Sequence, residues 1–266
     1  MRWAFAFLLL LAALALAMNW SQDAIIFPTH AVSAPGPLPI GAERLQVKTP
    51  DGETLHGVHI PAADRSGAAK LLVLGFGGNA WNGQDVATYL HEVYPQAEVV
   101  VFHYRGYRPS TGTPSAKALL ADAPLVFDAA VERVKPDRVV VAGFSIGSGI
   151  AASVAKQRPA DGLILVTPFD SLKKVARDAF PWLPVGLFFQ HEIDAEGFLE
   201  GSTVPVAIIG AEEDEIIPSA RTDALRRRVP NLAFDRTIAA AGHNDVYARS
   251  EFQEAMDEAL EALLNR

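Results

Sequence analysis

One serine in this chain stands where a hydroxyl would be pushed outward. Residues Val139–Ile150 read V-V-V-A-G-F-S-I-G-S-G-I. A β-branched run leads into Gly143-Phe144-Ser145-Ile146-Gly147, and small, helix-compatible residues follow. Strand, sharp turn and helix in that order are the context a nucleophilic serine needs. Only glycine tolerates the crowding at either side of so tight a turn cheaply, and Ser145 at its tip would carry a strained backbone. The five-residue pattern alone arises by chance in about one chain of this length in ten. The plain alternative is a βα turn of any parallel sheet, and the apolar strand in front of the motif makes the match more specific than that.

A serine hydroxyl is a poor nucleophile at neutral pH. It needs a base within hydrogen-bond reach, and the base needs an orienting carboxylate. In this strand–turn–helix context the partners follow in the order acid, then histidine. His243 lies in Ala239-Ala240-Ala241-Gly242-His243-Asn244-Asp245, a loop after the last predicted strand, where reactive residues concentrate. The other histidines lack this placement: His30 and His191 fall in loops, His56 and His59 in a hairpin, His91 in a helix, and His103 at a strand end before the serine. Glu212, Glu213, Asp214 and Glu215 compete for the acid, and such a cluster is often only a solvated loop. Asp214 is preferred, because Asp is the commoner orienting residue and Asp214-Glu215-Ile216-Ile217-Pro218 sets it close to the next helix; Asp170 is the fallback.

Acyl chemistry also needs donors for a developing oxyanion. The backbone N–H of Ile146, the residue after the serine, is one. A second would come from the loop after an earlier strand, and Gly75-Phe76-Gly77-Gly78-Asn79-Ala80 fits. A phosphate-binding reading of that loop fails in detail. It has neither the Lys-Ser/Thr of a P-loop nor dinucleotide-fingerprint spacing, and no acidic residue ends the next strand.

The elements that must hold these residues are legible as an alternation of β and α. Leu45–Thr49 and Thr54–Ile60 flank Pro50-Asp51-Gly52 and predict a hairpin. Leu71–Leu74, Val99–His103, Arg138–Ala142 and Leu163–Thr167 are near-continuous apolar runs, as in a parallel sheet buried on both faces. Val204–Ile209 and Leu232–Ile238 complete the strands. Ser115–Val134 carries a cap and an apolar stripe, and Glu251–Leu264 closes the chain as an amphipathic helix. A hairpin followed by βα units predicts an α/β fold with a doubly wound, mostly parallel sheet. Sites in such sheets form at the carboxyl ends of strands, where every candidate falls.

Composition sets the outer bounds. The 266 residues suit one α/β domain, and the net charge of −8 argues against a nucleic-acid partner. With no cysteine, thiol nucleophiles, disulfides and thiolate metal sites are excluded, while the redox compartment stays open. No cofactor or metal is implied. Residues 1–20 form a separate piece, with Arg2 ahead of an apolar run from Trp3 to Met18. The run predicts a signal anchor or a cleaved signal peptide, with Ala15-Leu16-Ala17 as the cleavage site and a buried core helix as the bland alternative. The anchor would put the domain on the extracytoplasmic side; cleavage would release it after export. Residues 21–44, with Ser33-Ala34-Pro35-Gly36-Pro37-Leu38-Pro39, predict a linker or wrapping segment, and residues 45–266 the domain, with a short cap at about 170–203. Within the cap, Phe180–Phe189 predicts a lid on an apolar pocket, a helix packed on the core, or an interfacial patch that touches a membrane.

Together these segments resemble the α/β-hydrolase superfamily, and within it the Bem46- and ABHD13-like group related to the serine aminopeptidase-type domain. The resemblance is carried by Phe76-Gly77-Gly78-Asn79-Ala80, His103–Gly112, Gly143–Gly147, Thr167–Leu172, Asp214–Pro218 and Gly242–Asp245, and covers Ile25 to the C-terminus. It implies Ser145 as nucleophile, Asp214 as acid, His243 as base and the backbone of Asn79 as second oxyanion donor. It also makes Gln22–Pro28 similar to the segment that follows an N-terminal membrane anchor. Two positions depart from the pattern: Gly77 stands where the family has histidine, and His103 where it has aspartate, residues that normally brace the oxyanion loop. The expected function is a serine hydrolase cleaving an ester, thioester or related acyl bond of a small-molecule or lipid-like substrate. The alternatives are a small-peptide hydrolase, an acyltransferase, or a catalytically silent membrane-anchored binding domain. Oligomeric state is not encoded in any motif.

Overall fold

A computed structural model describes residues 22–63, 69–182 and 185–265. The run Trp3–Met18 lies outside the described residues. Eight strands form one sheet: β1 (Glu43–Lys48), β2 (Thr54–Ile60), β3 (Leu71–Phe76), β4 (Glu98–Phe102), β5 (Arg138–Phe144), β6 (Gly162–Val166), β7 (Val206–Ala211) and β8 (Leu232–Ile238). Their spatial order is β1-β2-β4-β3-β5-β6-β7-β8. β1 and β2 form the predicted hairpin, β2 pairs antiparallel with β4, and all later pairings are parallel.

The continuous apolar strands are explained by two cores, one on each face. Successive side chains of a strand point to opposite faces. Leu72, Leu74, Val100 and Val141 therefore pack into one core with the helices Ala116–Val134 and Ile146–Gln157. Val73, Val99, Val101 and Val140 pack into the other with the helices Gly83–Val93 and Ser250–Leu264. Ser115 caps the first of these helices, its side chain accepting from the Ala118 N–H.

Several strand limits move. β3 runs on to Phe76, so Gly75 and Phe76 belong to the sheet and the glycine loop starts at Gly77. β6 stops before Thr167, whose φ of +44° turns the chain out of the strand. β7 starts at Val206 instead of Val204, because Pro205 has no N–H to donate. β1 already begins at Glu43, so the sheet takes the last two residues of the expected linker, and residues 22–42 lie against the domain. Phe27 is buried in one core, and Gln84 Nε2 donates to the carbonyls of Gly36 and Pro37.

Candidate active site

The turn after β5 is shaped by backbone crowding. Ser145 sits at φ +53°, a strained conformation, at the N-terminus of the helix Ile146–Gln157. A Cβ on Gly147 would lie 2.1 Å from the Phe76 carbonyl oxygen, and one on Gly143 would lie 2.4 Å from the Gly147 carbonyl oxygen. The Phe76 carbonyl belongs to the sheet and the Gly147 carbonyl to the helix Ile146–Gln157, so neither can move freely and both positions must be glycine.

Three loops at the carboxyl ends of β5, β7 and β8 bring Ser145, Asp214 and His243 together. His243 Nε2 is 3.0 Å from Ser145 Oγ. His243 Nδ1 is 2.8 Å from Asp214 Oδ2 and 3.0 Å from Oδ1. An ionised carboxylate only accepts, so Nδ1 carries the proton and Nε2 accepts from the serine hydroxyl. Asp214 Oδ1 also accepts the N–H groups of Ile216 and Ile217, at 3.0 and 2.7 Å. These bonds fix the carboxylate, whose side chain is 2% exposed.

The neighbouring acids divide the task of holding the histidine loop. Glu215 Oε2 accepts the His243 N–H at 3.0 Å, and Glu212 Oε2 accepts the Ala240 N–H at 2.9 Å. Sequence reasoning treated these residues as rivals for one role, and their bracing work went unseen. Asp170, the fallback acid, is buried and paired with Lys174 (2.9 Å) and Arg221 (3.3 Å) instead.

Asn79 and Ile146 line a cavity that Ser145 also touches. The loop carrying Asn79 is held by two phenols. Tyr104 Oη donates to the Gly77 carbonyl at 2.7 Å, and Tyr107 Oη donates to the Asn79 carbonyl at 2.6 Å. Burial pushes both phenols above their ordinary range, which keeps them protonated donors. Arg105, between them, anchors their loop through a two-pronged pair with the buried Asp122. His103 Nδ1 accepts the Gly83 N–H at 3.1 Å, at the start of the helix Gly83–Val93. Burial holds that imidazole down to about 4, so it is neutral and free to accept. The bracing expected from a histidine at position 77 and an aspartate at 103 is thus supplied by Tyr104, Tyr107 and neutral His103. The signal was present in His103-Tyr104-Arg105-Gly106-Tyr107, but nothing local tells which carbonyls its hydroxyls reach.

Two cavities meet at Ser145. One, of about 530 Å³, is almost wholly apolar. Leu172, Val175, Ala176 and Ala179 line it from one stripe of the cap helix Leu172–Ala179. Phe180, Trp182 and Phe188 continue the wall, and Ile25 and Ile26 of the N-terminal segment add to it. Of the cap segment, Phe180, Trp182, Val185, Phe188 and Phe189 therefore line a pocket. A second cavity, of about 470 Å³, is lined by Trp81, Tyr89, His243, Asn244 and Tyr247. Ser145, Asn79 and Ile216 line both. Among the described residues, no His, Asp and Glu cluster could hold a metal ion, and no helix is long and apolar enough to cross a membrane.

Comparison with known proteins places this architecture. Residues 71–202 match the α/β hydrolase fold family. An uncharacterized protein of Mycobacterium tuberculosis is 31% identical over 247 residues, covering 90% of this chain and 87% of that protein. The chain belongs to the α/β-hydrolase superfamily. The lysophosphatidylserine lipase ABHD12 of Danio rerio is 29% identical over 168 residues, covering 55% of this hydrolase but only 44% of the lipase. An α/β hydrolase from Vibrio vulnificus shares the fold, with a TM-score of 0.73 at 18% identity over 91% of this chain and 92% of that one.

Proposed function

We propose that this hydrolase is a serine esterase or thioesterase that works through an acyl-enzyme on Ser145. The observation that carries the reading is the unbroken contact chain from Ser145 Oγ through His243 to Asp214, set where two cavities meet. Ser145 Oγ attacks the acyl carbonyl carbon as His243 Nε2 takes the hydroxyl proton. Asp214 stabilises the imidazolium that results. The carbonyl oxygen, now negative, accepts from the N–H groups of Ile146 and Asn79, aided by the positive end of the helix Ile146–Gln157. His243 returns its proton to the leaving alcohol or thiol. Water then repeats the sequence and frees the acid.

The two cavities suggest a division of the substrate. The apolar cavity suits the acyl chain, and the aromatic and polar one suits the leaving group. A small-peptide hydrolase would need a free carboxylate for a substrate amine. Among the described residues Glu215 is the one acid lining the apolar cavity, at the edge that holds the His243 loop, and most of the remaining lining is apolar. That observation favours acyl over amine recognition. The relation to a lysophosphatidylserine lipase agrees with a single-chain lipid ester as substrate.

A fluorophosphonate probe should form one adduct, on Ser145, and Ser145→Ala should abolish both labelling and turnover of p-nitrophenyl esters, a loss of about 10⁵-fold or more. Folded protein without an adduct, or equal turnover by the variant, would overturn the mechanism.

A further inference from the structure

The apolar cavity has a rim that faces water. Trp182 is 77% exposed and Ile25 57%, and Phe180, Phe188 and Ile216 are also exposed. All five line the cavity. They come from three segments distant in sequence, so the patch is assembled by the fold. Large exposed apolar residues gathered around one opening mark a surface with a partner.

The partner is indicated by what the rim is built on. Gln22 Nε2 donates to the Phe188 carbonyl at 3.0 Å, and the Gln190 N–H donates to Gln22 Oε1 at 3.1 Å. His191 Nε2 lies 2.6 Å from Asp23 Oδ1, and the Phe27 ring meets the His191 ring edge-on. The N-terminal segment is therefore pinned at the cavity rim. Immediately before it the sequence runs Trp3–Met18 without a charge. Asn19, Trp20 and Ser21 are the whole connection, and from Met18 to Gln22 they reach at most about 14 Å. Any lipid layer that holds the apolar run lies within that distance of the rim.

We propose that this rim is a docking surface for a lipid bilayer, the same bilayer that takes the run Trp3–Met18, and that acyl chains slide from it into the cavity without crossing water. The identity of what enters rests on the acyl-cleaving reading; the docking itself does not. Apolar side chains set into the interface would leave water in exchange for hydrocarbon, with the Trp182 indole at headgroup depth.

The absence of cysteine allows a clean test with the full chain in phosphatidylcholine vesicles. An environment-sensitive fluorophore is attached to Ile25→Cys, Trp182→Cys or, as a control, Glu254→Cys on the exposed side of the last helix. The two rim positions lie on different segments, so misfolding of one variant leaves the other informative. Nitroxide-bearing lipids should quench the rim labels several-fold more than the control, and aqueous iodide should quench them less. Rim labels that behave like the control would overturn the proposal. So would rim labels shielded from both quenchers, which would mean that protein fills the patch. Fluorophosphonate labelling of Ser145 in the same vesicles reports the catalytic reading separately, so failure of one is distinguishable from failure of the other.

Discussion

The serine turn and the glycine loop facing it are held by different means. At Gly143 and Gly147 a side chain would collide with backbone oxygens of the sheet and turn. At Gly77 an added Cβ would clash with the Val86 side chain, at 2.7 Å, and reach backbone only at 3.7 Å, and at Gly78 nothing lies closer than 3.9 Å. The turn is fixed by steric exclusion, Gly143 by the turn's own backbone at Gly147 and Gly147 by the Phe76 carbonyl at the end of β3. The loop is fixed by hydrogen bonds from Tyr104 and Tyr107, reached across the fold. Steric exclusion leaves glycines that a short motif records, whereas hydrogen bonds leave tyrosines whose purpose is visible only when folded.

Substitutions can break this contrast, beginning with the largest effect. Gly147→Ala should destabilise the fold by more than about 3 kcal/mol, the range of severe overpacking, while Gly78→Ala should unfold within about 1 kcal/mol of the parent in urea. Similar losses for both would erase the distinction. Next comes the pH dependence of His103. The unfolded chain binds a proton at about 6.5, which the folded chain refuses until about 4. Stability is therefore fully present above 6.5, falls as pH drops between those values and flattens below 4. The shift is worth about 3 kcal/mol as an upper bound. His103→Asn, which keeps an acceptor for the Gly83 N–H, should flatten the part of the urea-midpoint profile between pH 6.5 and 4.

A smaller effect is expected from Tyr107→Phe. Losing one donor to the Asn79 carbonyl should cost about 1 kcal/mol, read as a kcat lowered about fivefold with KM little changed. A change confined to KM would mean that the hydroxyl does not set the loop. Smallest is Ile216→Ala, which truncates the apolar side chain among the three residues that line both cavities. It should shift relative kcat/KM between short and long acyl esters by a few-fold, with overall activity retained.

Much of the fold was legible because its strands are apolar on both faces and its helices carry caps and stripes. Val73 and Val140 needed no tertiary knowledge to be placed in strands. Ser145 and His243 were legible for a related reason, since each follows a strand in a loop of distinctive composition. Asp214 was separable from Glu212 and Glu215 only by residue type and by its closeness to the next helix, because a carboxylate aimed at an imidazole and one aimed at a backbone N–H look alike in sequence. The phenol braces, the pairing of His191 with Asp23 and the cavity wall at Ile25 and Ile26 were not legible. Each joins residues far apart in the chain, and no periodicity records such a meeting.

The placement of Ile25 and Ile26 has a practical consequence for anyone shortening this chain. Removing the apolar leader to ease purification invites a cut somewhere before the hairpin, where the sequence is rich in proline. A cut after Phe27 would keep Ser145, His243 and Asp214 and still discard one side of the pocket. Such a trimmed enzyme would react with the same probes yet misreport which chain lengths the intact one prefers. On the acyl-cleaving reading, the segment that carries Ile25 and Ile26 acts less as a stalk than as part of the gauge by which substrates are measured.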